Sequence, residues 1–307
     1  MAVPDFQSLM LPFLEVMQDG KEIAMRDLTA ALASRFRLTE AELEEHLPSG
    51  PQSLFYNRVA WAKTHLKNAG LIENPVRGKV RISESGRKVL LKKLTAINCR
   101  FLKQFPSYLT FIGQSPGDNT ASSEEAIIES TQTPLELMES SFNALRKATA
   151  EELLAKLKAC SPAFFEQVVV RLLHAMGYGS VKEDASVMGK PGDGGIDGII
   201  REDKLGLDVV CIQAKRWEGT VGRPVIQGFV GSMDYIRAKK GVILTTSQFT
   251  KEALDFVDRI EGKKVVLIDG AKLTALMIEY NVGVTTSRLY ELKEVSNDFF
   301  DESESLP

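Results

Sequence analysis

The stretch 192–217, GDGGIDGIIREDKLGLDVVCIQAKRW, constrains this chain more than any other. Two apolar runs, 196–200 and 207–214, flank a polar segment that ends in Gly206, which is the pattern of a β-hairpin. A turn centred near Leu205 puts Asp197 and Gln213 at equal distances from it, directly opposite each other. Opposed residues of an antiparallel pair share a face, with Cβ atoms ~5 Å apart. Lys215, two residues past Gln213, shares that face as well. One side of the hairpin then presents a carboxylate, an amide and an ammonium. A partly buried Asp197–Lys215 ion pair that only fixes the hairpin is the plainer alternative, but it leaves the glycine-rich approach unexplained.

At 307 residues the chain is long for one core, so two domains are expected. It has no apolar run of membrane-spanning length and no signal peptide at its start, and a cytoplasmic protein is expected. Cys99, Cys160 and Cys211 are widely spaced in apolar contexts and read as reduced thiols. His46, His65 and His174 are scattered, which argues against a histidine metal site or a Ser-His or Cys-His triad. The formal net charge of −3 hides an asymmetry. Residues 49–105 hold twelve Lys and Arg against two acids, Glu73 and Glu84. One basic block in an otherwise acidic chain points to a polyanion partner.

Helical spacing is expected over 5–17, 23–37 and from Thr39, where Thr39 and Glu42 form a capping box, and again over 53–68. A short strand at 71–73, a basic turn and strand at 76–82 and a helix over 84–94 follow. Helices followed by a basic hairpin is the order of a winged helix-turn-helix. Its recognition helix would start at Ser53 and its wing would lie near Arg77–Lys79. Arg58, Lys63 and Lys67 suit phosphate contact and Asn57 suits base contact, with Arg77 and Lys79 on the wing; a solvated basic face is the bland alternative. Residues 114–134 are small, polar and acidic, as in a linker. Helical periodicity returns over 135–148 and 151–157. A helix opening at Ser161-Pro162 precedes the hairpin, and strands alternating with helices follow it, which implies an α/β core with parallel strands.

The expected domains are therefore a winged helix at 1–105, a linker and bridging helix at 106–148, an α/β core at 149–293 and an acidic tail at 294–307. An acid on one hairpin strand and Gln-x-Lys on the next resembles the PD-(D/E)xK nuclease superfamily. GDGGIDG at 192–198, QAKRW at 213–217, GTVGRP at 219–224 and TTSQFT at 245–250 resemble, more closely, the Mrr-type restriction endonucleases. SPAFFEQVVVRLLHAMGYG resembles that family's opening helix and the N-terminal region its N-terminal domain, so the likeness spans nearly the whole chain.

The resemblance implies type IV restriction: Mg²⁺-dependent hydrolysis, with Mn²⁺ able to substitute, of foreign double-stranded DNA carrying methylated bases, by a dimer or tetramer. A structure-specific repair nuclease and a DNA-binding protein with a decayed core are the rivals. By position, Asp197 matches the metal carboxylate, Gln213 stands where most of the superfamily has Asp or Glu, Lys215 matches the catalytic lysine and Glu166 the opening helix's acid. Mg²⁺ prefers oxygen donors. A neutral Gln213 weakens the site, so Glu166 gains importance as a third donor. Asp193 is either a further ligand or a loop residue in a supporting role. Arg216 and Arg223 are phosphate contacts or surface charges, Gln227, on the helix after the hairpin, either faces the site in a supporting role or points away from it, and Thr245, Thr246 and Ser247 either touch DNA or cap a helix.

Overall fold

The computed structural model describes residues 3–47, 52–76, 78–113, 130–179, 195–201, 208–293 and 295. The chain divides into two compact units, Met1–Leu145 and Arg146–Pro307.

In the first unit, α1 (Phe6–Val16) is capped by the Asp5 carboxylate, which accepts from the N–H groups of Gln7 and Ser8. It buries Phe6, Leu9, Met10, Phe13 and Leu14 against α4 (Leu54–Asn68), which contributes Phe55, Val59, Ala62 and Leu66. Between them lie β1 (Ile23–Ala24), α2 (Met25–Phe36) and α3 (Glu40–Leu43), the last opened by the expected Thr39–Glu42 capping box. Gly70, at φ +71, ends α4 in the left-handed conformation that glycine adopts most readily. Then come β2 (Ile72–Glu73), β3 (Lys79–Ile82), α5 (Glu84–Leu91), α6 (Cys99–Leu102) and α7 (Pro106–Phe111). The strands form one antiparallel sheet in the order β1-β3-β2. Helical periodicity over 23–37 hid β1, whose two residues pair with β3 before α2 begins.

Two of the residues expected to meet DNA are held inside this unit. Asn57 is buried, and its amide donates to the Thr133 hydroxyl at 2.7 Å. Arg58 forms an ion pair with Glu136 at 2.6 Å and donates to the Val3 carbonyl, with its side chain only 15% exposed. The reading of Asn57 and Arg58 as base and phosphate contacts is therefore corrected: both hold the segment around 133–136. Glu136 is itself fixed by Thr133 N–H. Arg58→Ala strands the buried Glu136 carboxylate. It should destabilise this unit by about 3 kcal/mol, read as a lowered first transition in thermal unfolding, and an unchanged transition would refute the latch.

Other basic residues do face outward. Lys67 is exposed, and half-buried Lys63 joins it with Thr64, Asn68 and Asn74 around a polar recess of about 300 Å³. Burial, with Lys67 beside it, holds the Lys63 ammonium below the usual lysine range. Lys79 lies 3.7 Å from Glu22 in an exposed pair. Arg77 lies outside the described residues. His65 is buried with Nδ1 at 2.7 Å from the Tyr108 hydroxyl, and burial pulls its pKa down to about 4.

Residues 134–159 form a single 26-residue helix, α8 (Pro134–Ala159), where the sequence suggests two, and the division between the units falls within it. The second unit continues with α9 (Pro162–Ala175), capped by Ser161 with Pro162 in its first turn. Then follow β4 (Gly198–Arg201), β5 (Val209–Lys215), α10 (Arg223–Tyr235), β6 (Lys240–Thr245), α11 (Lys251–Val257), β7 (Lys264–Ile268) and α12 (Gly270–Glu279). The sheet order is β4-β5-β6-β7, antiparallel at β4–β5 and parallel thereafter.

Side chains alternate along β5 between two cores. Ile212 packs with Leu157, Phe165, Leu172, Leu244 and Leu273 on one face. Cys211 packs with Ile226, Phe229, Met233, Ile243 and Ala253 on the other. Burial on both faces is why 209–212 reads as an unbroken apolar run and not an alternating one. The same alternation makes Gln213, deeply buried near the strand's end, a residue that must justify its polarity.

Candidate active site

The hairpin register Gly198↔Ile212, Ile199↔Cys211, Ile200↔Val210 is symmetric about the position expected from the sequence, so Asp197 falls opposite Gln213. Asp197 then leaves the regular ladder. Its N–H donates to the Ile212 carbonyl at 2.9 Å, and its carboxylate accepts from Ala214 N–H at 2.7 Å. The side chain thus takes a bond that backbone would otherwise make, which fixes the carboxylate at the end of the strand pair.

Gln213 is 3% exposed. Its amide nitrogen donates to the Gly195 carbonyl. A carbonyl can only accept, so this bond sets the amide's orientation and leaves Oε1 as the free end. That oxygen is buried, with no hydrogen-bond partner among the described residues. An unsatisfied buried acceptor costs about 1–3 kcal/mol, and such an atom calls for an explanation. Gly195 has φ +89, and a Cβ there would lie 2.6 Å from the Gln213 amide nitrogen. The last glycine of GDGG is thus required both by its backbone conformation and by its closeness to Gln213.

Lys215 ends β5, half-buried. Its carbonyl accepts from the Thr245 hydroxyl at 2.8 Å and from Thr246 N–H at 3.2 Å. The Thr246 hydroxyl donates to the Trp217 carbonyl at 2.9 Å and the Ser247 hydroxyl to the Glu218 carbonyl at 3.2 Å. The TTS segment at the end of β6 is therefore a ladder of hydroxyls pinning the backbone that carries Lys215. That role was missed because side-chain bonds across parallel strands leave no mark in periodicity.

Glu166, on α9, completes the group electrostatically. Burial raises its carboxyl above the ordinary range, the Asp197 charge raises it further, and Lys215 opposes both. Burial also raises Asp197, against the pull of Ala214 N–H and Lys215. Two carboxylates that resist ionisation beside one ammonium are a setting in which a cation is favoured.

Among the described residues no three His, Cys, Asp or Glu side chains gather into a metal cage. The donors at hand are two carboxylates and the orphaned amide oxygen. That all-oxygen set fits a hard divalent cation, with water filling the remaining positions. The other candidates have surroundings of their own. Arg216 donates to the Lys158 carbonyl at 2.7 Å and so caps the C-terminal end of α8. Gln227 is exposed on α10. Arg223 lies over the Phe256 ring at 4.9 Å. Asp193 lies outside the described residues. An apolar cavity of about 410 Å³, walled by Leu173, Met176, Val242 and Leu276, contains none of the four clustered residues.

A carboxylate, an oxygen donor and a lysine at the end of an antiparallel strand pair, on a sheet otherwise parallel and covered on both faces, are the groups that cation-dependent phosphodiester hydrolysis calls for. The comparisons give the chain a family. Residues 157–277 match the restriction endonuclease catalytic domain model of the Mrr family, and residues 6–92 match the Mrr N-terminal domain. The type IV methyl-directed restriction enzyme EcoKMrr of Escherichia coli K12 is 36% identical over 98% of this chain and 100% of its own length. Among solved structures, the DNA modification-dependent restriction endonuclease AspBHI matches 56% of this chain and 41% of its own at TM-score 0.37 and 18% identity. MspJI bound to a 27-mer oligonucleotide matches 67% and 49% at TM-score 0.27 and 20% identity. The chain spans under half the length of either, and resemblances this distant add nothing to the assignment. The chain belongs to the Mrr family of restriction endonucleases and is a deoxyribonuclease of the PD-(D/E)xK superfamily, a class that uses divalent metal ions. No described helix is long and apolar enough to cross a membrane.

Proposed function

We propose that this protein is a Mg²⁺-dependent endonuclease that cuts foreign double-stranded DNA carrying methylated bases. The observation that supports the chemistry most is the orphaned Gln213 Oε1, buried opposite Asp197 and two residues from Lys215. In this reading Asp197 and Gln213 hold the cation, with Mn²⁺ able to replace Mg²⁺, and Glu166 adds the negative charge that a neutral Gln213 lacks. A bound divalent ion supplies Lewis-acid stabilisation and a more acidic water. Lys215 donates hydrogen bonds to the attacking water and to the phosphate oxygens as negative charge builds there. Ala214 N–H holds the Asp197 carboxylate in place, and the hydroxyl ladder holds the lysine's backbone.

The N-terminal unit acts in this proposal as a winged-helix DNA reader, with Lys63, Lys67 and Lys79 on phosphates. Two adjacent lysines, one half-buried, are best satisfied by an anion between them. Lys63→Ala and Lys67→Ala should each weaken DNA binding whatever the sequence. Each should also lower the slope of log K against log salt by about 1; an unchanged slope would place DNA elsewhere.

The methyl preference rests on the full-length kinship with a methyl-directed enzyme. Cutting both strands takes two such centres, so a dimer or tetramer is the working form. The test is to incubate methylated and unmethylated plasmid with the purified protein and Mg²⁺. Selective cutting of the methylated plasmid is expected. Equal cutting of both refutes the methyl preference, and binding without cutting refutes the nuclease.

A further inference from the structure

We infer that Trp217 is a DNA-contact residue, packing its indole against the sugar and base of a nucleotide beside the scissile phosphate. The inference rests on the nuclease reading of Lys215, two residues away. Single exposed apolar side chains are common and mean little. Trp217 differs in how it is held. The residue is 42% exposed, yet its backbone N–H donates to the Lys215 carbonyl at 3.0 Å and its backbone carbonyl accepts from the Thr246 hydroxyl at 2.9 Å. The nearby carbonyls of Lys215 and Glu218 accept from the Thr245 and Ser247 hydroxyls. Thr245 and Thr246 are themselves buried, so the backbone beneath the indole is anchored in the sheet.

The surroundings point the same way. Arg216 is committed to the end of α8, while Trp217, two residues past Lys215 in the chain, is exposed. The chain beyond is open, with no described atom within 4 Å of the place a Cβ would take at Gly219. By contrast, the exposed Tyr235 ends α10 and the exposed Tyr290 follows α12, both remote in sequence from the hairpin strands. Large aromatic rings lose little conformational freedom on binding, and they stack on any base or sugar face whatever the sequence. Such a contact would set the position of the strand without reading its bases.

The chain has two tryptophans, and Trp61 is partly buried in the first unit, with its ring centroid 5.3 Å from that of His65. Trp61→Phe combined with Lys215→Ala therefore leaves Trp217 as the only indole in a full-length, non-cutting protein. Adding a methylated duplex should quench and shift its emission with the same midpoint as binding measured by anisotropy of labelled DNA. In the cutting enzyme Trp217→Ala should lower kcat/KM roughly 10- to 100-fold, with the salt slope unchanged and Trp217→Phe restoring most of the loss. Binding without any change in emission, or a Trp217→Ala enzyme with full kcat/KM, overturns the proposal. So does an emission change that follows protein concentration without DNA, which would mark contact between copies. If Trp61→Phe alone fails to cut DNA that the unaltered protein cuts, Trp217→Ala and Trp217→Phe in the unaltered background decide the question. If the unaltered protein cuts nothing, the nuclease reading itself fails.

Discussion

Lys215→Ala is expected to lower the rate of DNA cleavage by about 10³-fold while leaving DNA affinity within a few-fold of the unaltered protein. The lysine stands where β5 ends, with its carbonyl tied to Thr245 and Thr246, so the change removes an ammonium and leaves the backbone in place. Binding should survive because the lysines of the N-terminal unit, in the proposed reading, carry the phosphate contacts. Single-turnover cleavage, with a gel-shift titration alongside, separates the two effects. Retained cleavage would remove Lys215 from the chemistry, and lost binding would make it a docking residue instead.

Asp197→Asn is expected to act in opposite directions on activity and stability. Cleavage should fall at least about 100-fold, because a site with an amide in place of the carboxylate holds a cation poorly. Without divalent cation, thermal stability should rise. Folding raises the Asp197 carboxyl above its ordinary value of 3.8, chiefly through burial. The stability this group contributes is therefore present below the ordinary carboxylate pKa and lost as pH rises through the elevated one. At neutral pH the folded protein bears a charge it would rather not have. Asparagine removes that charge while its carbonyl can still accept from Ala214 N–H. A gain of about 1 kcal/mol would move Tm by roughly 2–4 °C. The difference between the two proteins should shrink as pH falls into the carboxylate range, and it should shrink again when Mg²⁺ is added to the unaltered protein alone. A mutant less stable than the parent at pH 7 without cation would contradict the electrostatic account.

Much of this site was legible because a two-residue period and a turn fix a register. Centring the turn on Leu205 was enough to set Asp197 against Gln213, and the observed pairs continue that alignment. What period could not show is how the partners are held. The Asp197 side chain takes the place of a ladder bond, and Gln213 turns its nitrogen to Gly195, so the useful oxygen is left over by elimination. Side-chain type misled at Asn57 and Arg58. An amide and a guanidinium on the expected recognition helix read as DNA contacts, but their partners Thr133 and Glu136 come more than seventy residues later. On that helix Lys67 is exposed and Lys63 half-buried. The two helices expected over 135–157 are one because nothing at Thr149-Ala150 interrupts a helix: there is no Pro, no Gly and no cap.

In the proposed site Asp197, Gln213 and Glu166 share one cation beside Lys215. Anomalous scattering from Mn²⁺ in crystals of the Lys215→Ala protein with methylated duplex tests it directly. The account predicts a peak within bonding distance of an Asp197 carboxylate oxygen and Gln213 Oε1, with Glu166 reaching it directly or through water. A peak elsewhere, or a Gln213 amide turned with its nitrogen to the metal, would contradict it.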